Sequence, residues 1–228
     1  LTAAGQRELG KTHSKLDENE EAKGAFAKSI LASRLWLNNT RENAPEHTNA
    51  LLSVAESCRL LGDLHVNLEE LREANENYRA SGQAIAELQK RGLNGEPVLF
   101  SNAQLLNSRS IVFETDGLLD EQLELLQSAR TVYVALIASA DKANKIRYRR
   151  KLARTDYNLG RTYDRHCSQG KSDNWQQVVS SFDKAVSGLE SLRADAGQDR
   201  ELELAVIQEL AQALQERSSG WLGFADAS

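Results

Sequence analysis

The sequence predicts an all-α protein built from stacked pairs of antiparallel helices. Its main signal occurs four times: a small residue, a bulky residue three positions later, a turn, and then Ala-x3-aromatic-x2-small or a close variant on a second helix. The first copy reads Leu9-Gly10-x2-His13 followed by Ala22-x3-Phe26-x2-Ser29. Such a helix pair cannot bury its own apolar face and must stack on a neighbour. The composition agrees, because 6% aromatic residues and two prolines suit long helices rather than strands.

The first repeat is expected at residues 1–44. Asp17 is followed three residues later by Glu20, which predicts a capping box at the start of the second helix. Pro45 then marks the linker to the next repeat, because proline rarely continues a helix.

The second repeat is expected at residues 46–94. Apolar residues recur at helical spacing until Leu61-Gly62-Asp63, which we expect to end its first helix. Asn67 with Glu70 predicts a second capping box, which would open the following helix.

Two further repeats are expected at 97–143 and 146–193. The third has the weakest match, because Arg109-Ser110 replaces the Leu-Gly pair. An amphipathic stretch at 200–217 is predicted to be a capping helix with a polar outer face, as the end of an array requires. Residues 218–228 are expected to form a tail.

Four small residues are expected at the helix-to-helix contacts, where they would let two helices approach closely. They are 45, 55 and 50 residues apart. The extra length relative to the ~34 residues of a tetratricopeptide repeat falls outside the packing positions. These residues are Gly10, Ala55, Ser110 and Gly160.

This pattern resembles the tetratricopeptide-repeat (TPR) family over nearly the whole chain. The match is most specific at Leu159-Gly160-x2-Tyr163 with Phe182 and Ala185. The resemblance implies a right-handed superhelical solenoid that holds a peptide or a helix of a partner on its concave face, without catalysis.

The segment from Tyr148 to Gly160 is similar to a narrower group. It looks like the long-period repeats that follow the catalytic domain of bacterial eukaryote-like serine/threonine kinases. This implies an alternative function, as a regulatory or sensory region of a larger signalling enzyme. The kinase signature motifs themselves are absent from the sequence.

The polar residues give no indication of catalysis, of a cofactor or of a metal site. No two of the four histidines have the i,i+4 spacing that would place two imidazoles on one helical face. The adjacent pair His166-Cys167 would point about 100° apart on a helix, which disfavours a shared ion. We therefore predict no enzyme activity and no structural metal.

The charge is strongly asymmetric. The segment from Lys142 to Arg165 contains nine basic and two acidic residues, so its net charge is near +7, while the net charge of the whole chain is −5. The basic segment could attract an acidic or phosphorylated partner. A solvated helix face explains the same pattern. Nucleic-acid binding is disfavoured, because the total charge is negative and no aromatic ladder interleaves the basic residues.

The family resemblance implies which residues line the groove. In this family the groove face of each first helix lies opposite its packing residues, and helical phase identifies that face in each repeat. The interleaved Glu56, Gln104 and Glu114 make the middle of this row mixed in charge. The partner-binding candidates are Arg7, Lys11, Lys15, Asn49, Arg59, Asn107, Arg154, Tyr157, Arg161 and Arg165.

Two further expectations concern context. No apolar run reaches the ~18 residues of a membrane span, and two cysteines cannot form a disulfide framework, so we expect a cytoplasmic protein. The chain contains no methionine and begins within an apparent helix, so we expect a fragment of a larger protein. Self-assembly through Trp36 or Trp221 stays open as a third possibility.

Overall fold

The computed structural model describes residues 2–42, 44–171, 174–196 and 200–227, and all secondary structure in this part of the chain is helical. Side chains are described except at 196, 200, 201 and 219–227. The predicted all-α class is confirmed for these residues. None of their helices is long and apolar enough to cross a membrane. The helices are α1 (Ala3–Lys15), α2 (Asn19–Asn38), α3 (Pro45–Asn67), α4 (Leu71–Lys90), α5 (Glu96–Thr115), α6 (Leu119–Ser139), α7 (Lys142–Ser168), α8 (Trp175–Ala196) and α9 (Arg200–Ala227).

The chain divides into two compact units, Leu1–Val112 and Phe113–Ser228, whose boundary lies inside α5. In the first unit α1 packs on α2, α2 on α3, and α3 on α4. In the second unit α6 packs on α7, α7 on α8, and α8 on α9. We call α1, α3, α5 and α7 the first helices of the four repeats, and α2, α4, α6 and α8 the second helices.

The two helices of a repeat are antiparallel. In the first repeat the Ser29 hydroxyl of α2 donates a hydrogen bond of 2.7 Å to the carbonyl of Ala3 at the start of α1. At the other end of the pair, His13 Nδ1 lies 2.5 Å from the carboxylate of Glu18 at the turn. These two contacts fix the opposite directions of the two helices.

The helices of a repeat approach most closely at a glycine of the first helix. A Cβ added at Gly10 would lie 2.8 Å from the ring of Phe26. At Gly160 the same atom would lie 2.8 Å from the ring of Phe182. Both rings are buried, so no other residue type fits without a shift of the ring. The prediction that these two glycines lie at helix contacts is confirmed.

The second repeat has a different register from the predicted one. Gly62 does not end its helix, which continues to Asn67, and a Cβ on it would lie 2.6 Å from the ring of Tyr78. Gly62 is therefore the equivalent of Gly10, and Ala55 lies two turns earlier. Ala55 is still buried at the α3–α4 contact, where its carbonyl accepts a 2.8 Å bond from Ser81. The equivalent positions Gly10, Gly62, Ser110 and Gly160 are 52, 48 and 50 residues apart.

The two predicted capping boxes are wrong. Each lies in a turn after a first helix, where one residue has a left-handed backbone: Asp17 (φ 58°) and Glu69 (φ 61°). The next N–H then bonds to the carbonyl five residues earlier, from Glu18 to His13 at 3.0 Å and from Glu70 to His65 at 2.8 Å. This is the Schellman arrangement that satisfies the last carbonyls of a helix. Gly117 and Gly170 hold the same place after α5 and α7.

The last helix also differs from its prediction. α9 begins at Arg200 as expected but continues beyond 217 to Ala227, through most of the expected tail. Its inner face packs on α8 through the buried residues Val206, Leu210 and Ala213. Its outer face is not polar, because Leu204 and Leu214 are 55% and 42% exposed.

Candidate partner-binding surface

All ten predicted partner-binding residues lie on first helices. The corrected register of the second repeat changes which of them are equivalent. Arg59, not Asn49, takes the place of Arg7, and Asp63 takes the place of Lys11. Sequence reasoning missed Asp63 because Gly62 was interpreted as the end of the helix.

In the first unit two of the three basic candidates of α1 pair with a carboxylate of α3. Arg7 Nε lies 3.3 Å from Glu56 Oε2, and Lys11 Nζ lies 3.6 Å from Glu56 Oε1. The Arg7 guanidinium also donates a 3.0 Å bond to the hydroxyl of Ser53. These side chains connect α1 to α3, and Glu56 compensates the positive charge of Arg7 and Lys11 locally.

The candidates on α3 and α5 have other surroundings. Arg59 Nη1 lies 2.5 Å from Asp63 Oδ2, and the other oxygen of Asp63 accepts a 2.8 Å bond from the hydroxyl of Tyr78. The carbonyl of Asn107 accepts a 2.7 Å bond from Ser110. Asn49 and Lys15 are exposed near the ends of their helices.

In the second unit one carboxylate engages two of the predicted arginines. Glu114 Oε1, at the end of α5, accepts a 3.2 Å bond from Arg161 Nη2 and lies 2.7 Å from Arg165 Nη1. Its other oxygen accepts a 3.3 Å bond from the amide of Gln122. The two arginines therefore already hold a carboxylate of the same chain, which a ligand would have to displace.

Tyr157 is part of the helix packing. Its ring meets that of Phe182 edge to face, with centroids 5.9 Å apart, and it packs against the apolar cluster between α7, α8 and α9. Its hydroxyl is buried without a hydrogen bond of normal geometry, beside Glu216 and Gln212 of α9. Burial raises the pKa of this phenol, and the Glu216 carboxylate adds to the effect. Tyr157 is thus half-buried: its ring contributes to the helix packing, and it also lines one of the cavities between α7 and α9.

The accessible part of this surface is a groove between α7 and α9. It contains two adjoining cavities of about 340 Å³ and 320 Å³. Arg154 lines both of them, is exposed, and makes no ion pair within the described residues. Arg150 borders one cavity and binds Glu209 of α9 through two nitrogens, at 3.2 and 3.0 Å. We call this cleft the α7–α9 groove.

One further arginine of the basic segment is bound by a neighbouring helix. Arg149 donates to Asp195 and to Ser191 of α8. Two turns along α7 from Arg149, the buried Asp156 accepts a 2.7 Å bond from Arg130 of α6. Burial raises the pKa of the Asp156 carboxyl despite this partner. Four of the nine basic residues of the segment therefore pair with carboxylates of other helices, which the sequence did not predict: Arg149, Arg150, Arg161 and Arg165.

The reactive groups of the described residues are dispersed. No group of three or more His, Cys, Asp or Glu side chains in that part of the chain is arranged to hold a metal ion. Both cysteines are buried, and burial raises the pKa of the Cys58 thiol to about 11. A thiol with that pKa is almost entirely protonated at neutral pH and is a poor nucleophile.

Comparison with known proteins gives only distant similarities. No protein-family model matches the chain, and no curated protein matches it. A crystal structure of nearly identical TPR-like repeats, from a Podosopora anserina protein described as a kinesin light chain, shares 17% identity at a TM-score of 0.46. It aligns over 98% of this chain and 92% of its own. A single-substitution variant of that protein has a TM-score of 0.47 at the same identity and coverage. At these values neither likeness carries a conclusion about this chain.

Proposed function

We propose that the chain is a non-catalytic protein-interaction module that binds an acidic or phosphorylated segment of a partner in the α7–α9 groove. The observation that supports this proposal most directly is Arg154, an exposed guanidinium that borders both cavities and has no ion-pair partner among the residues that the structure describes. Its planar fork suits carboxylate or phosphate groups. Apolar side chains of the same groove, Ile146 and Leu202 among them, offer contacts for the rest of the segment.

Arg161 and Arg165 have a secondary place in this proposal. Both contact Glu114, so an incoming anion gains from them only by replacing that carboxylate. We therefore expect substitution of Arg154 to weaken binding more than substitution of Arg161. The sequence alone treated these arginines as equal contributors.

The proposal is tested with a display library of acidic peptides and composition-matched neutral peptides. We expect the wild-type chain to enrich acidic sequences and Arg154→Ala to weaken the selected peptides roughly ten-fold, as for a charge-assisted contact. Affinity should also fall as salt rises. Arg79→Ala, which removes an exposed charge from α4, is the matched control. Equal binding by wild-type and Arg154→Ala protein would contradict the proposal.

The alternative function, a regulatory region of a bacterial serine/threonine protein kinase, rests on the resemblance of residues 148–160 alone. It is compatible with a peptide-binding groove, since such a region also has to recognise other protein segments. The reading frame upstream of Leu1 distinguishes the two, because it either encodes a kinase domain or does not.

A further inference from the structure

The helix α9 repeats the packing of a first helix. Its inner face carries Val206, Leu210 and Ala213, which are buried against the preceding repeat. In α3 the residues at the same relative positions, Ser57, Leu61 and Leu64, are buried against α2. The pair Leu210-Ala211 also follows Leu159-Gly160 by 51 residues, close to the internal period.

The other face of a first helix is covered by its second helix. In α3 this face contains Ala55, Cys58 and Gly62, which are all buried under α4. The corresponding residues of α9 are Leu204, Ile207 and Ala211, and Leu214 takes the place of the half-buried His65. Ala211 is exposed, and Leu204 and Leu214 are 55% and 42% exposed.

We propose that this outer face of α9 binds an amphipathic α-helix of a partner protein, which completes a fifth helix pair. The argument is continuity with the established interfaces: the same positions are covered by a second helix in the pairs α1–α2, α3–α4 and α7–α8. An apolar stripe at i, i+3, i+7 and i+10 matches the footprint of one packed helix. This surface is distinct from the α7–α9 groove.

The structure also indicates which side chain the partner helix places at the closest contact. At Gly10, Gly62 and Gly160 the absence of a Cβ admits an aromatic ring, and an added Cβ would lie within 2.8 Å of that ring. Ala211 carries this Cβ, so a ring would be too large there. In the third repeat, where Ser110 also carries a Cβ, the residue 16 positions later is Leu126, whereas Gly10 and Gly62 have Phe26 and Tyr78 at that offset. From this sequence correspondence we expect leucine at the closest contact of the partner helix.

The test uses labelled peptides with the sequence of α6, residues 119–139, carrying either the native leucine or Leu126→Phe. Fluorescence anisotropy with the full chain should show that the leucine peptide binds more tightly, roughly five-fold or more, because the ring overpacks Ala211. The variant Ala211→Gly should reverse or abolish this preference. In the full chain, Leu214→Glu should abolish binding of the peptide. The control is Val134→Glu, also in the full chain, which changes an exposed site of α6 and should leave binding unchanged.

Three results would overturn the inference. The first is no binding of the leucine peptide, and the second is equal binding by Leu214→Glu protein of unchanged helix content. The third is a dimer in analytical ultracentrifugation that Leu214→Glu dissociates, which would assign the face to a second copy of the chain. Arg154→Ala should not change helix-peptide binding and Leu214→Glu should not change acidic-peptide binding, so the two surfaces can fail independently.

Discussion

Gly160 shows how one residue sets the distance between two helices. A Cβ at this position would lie 2.8 Å from the ring of Phe182, which is buried. The same contact at Gly10 and Gly62 explains why the Leu-Gly pair is the clearest sequence signal of the repeat. The requirement is steric, since all three glycines lie within helices, where alanine would otherwise be the better residue.

We expect Gly160→Ala to lower the free energy of unfolding by ~1–2 kcal/mol, because overpacking outweighs the gain in helix propensity. The matched control is Gly24→Ala, also within a helix, where no atom lies within 4 Å of the added Cβ. This control should be stabilising by ~0.5–1 kcal/mol. Urea unfolding of the three proteins measures both differences. A Gly160→Ala protein as stable as Gly24→Ala would contradict the close-contact interpretation.

Single residues also mark the limit of what the sequence predicts. Helical phase placed Arg161 and Arg165 on one face of α7, and in the structure both reach the same carboxylate. That carboxylate, Glu114, is 47 residues from Arg161, and nothing in the local pattern links the two. The sequence predicts which residues share a face of one helix, but it does not predict which residues of two neighbouring helices lie side by side.

At the scale of elements, the turns after the first helices are alike although their sequences differ. A left-handed residue occurs in each of them, as glycine after α5 and α7 and as Asp17 and Glu69 after α1 and α3. Asp-x-x-Glu and Asn-x-x-Glu in the two non-glycine turns imitate a capping box. Neither Glu18 nor Glu70 caps the following helix through its side chain. Each carboxylate instead contacts a histidine near the end of the preceding helix, His13 or His65.

These turns provide a matched pair of substitutions. Glu69→Gly should raise the free energy of unfolding by ~1 kcal/mol, because glycine adopts the φ of 61° without steric cost. Gly117→Ala should lower it by a similar amount, since its φ is 71° and its surroundings are open, with no atom within 4 Å of an added Cβ. Chemical denaturation compares them. Effects of the same sign would show that φ is not the deciding factor.

At the scale of the molecule, the sequence predicted the all-α class and the succession of helix pairs, because the apolar period and the Leu-Gly pairs are local signals. The prediction failed at Gly62, because Leu-Gly-Asp has the composition of a helix end. The error moved the close-contact position of the second repeat by seven residues, from Gly62 to Ala55. The sequence could not predict that the charged rows of neighbouring first helices compensate each other, as Arg7 with Glu56 and Arg150 with Glu209 do. Such pairing depends on which turns of two helices lie at the same height.

The compensation of charges makes stability depend on pH. Hydrogen bonds from Lys23 and then from His65 lower the pKa of the Glu70 carboxyl, and a bond from Arg91 does the same for Glu87. A carboxyl with a lowered folded-state pKa contributes stability that is fully present above its ordinary pKa of 4.5 and is lost as the pH falls through the folded-state value. The raised pKa of the buried Asp156 acts with the opposite sign, since its protonation on acidification favours the folded state.

We therefore expect Glu70→Gln to lower the urea midpoint at pH 7, where the charged carboxylate holds Lys23 at 2.9 Å, and to have a smaller effect at pH 3.5, below the ordinary pKa of the carboxyl. Gln keeps the size of the side chain, so the difference reports the charge. Glu69→Gln is the neighbouring control: its exposed side chain makes no ion pair within the described residues, and its effect should be small at both pH values. Urea titrations monitored by circular dichroism at the two pH values measure all three proteins. If Glu70→Gln lowers the midpoint equally at pH 7 and pH 3.5, the link from α2 to the α3–α4 turn does not depend on the charge of Glu70, and this account of acid sensitivity is wrong.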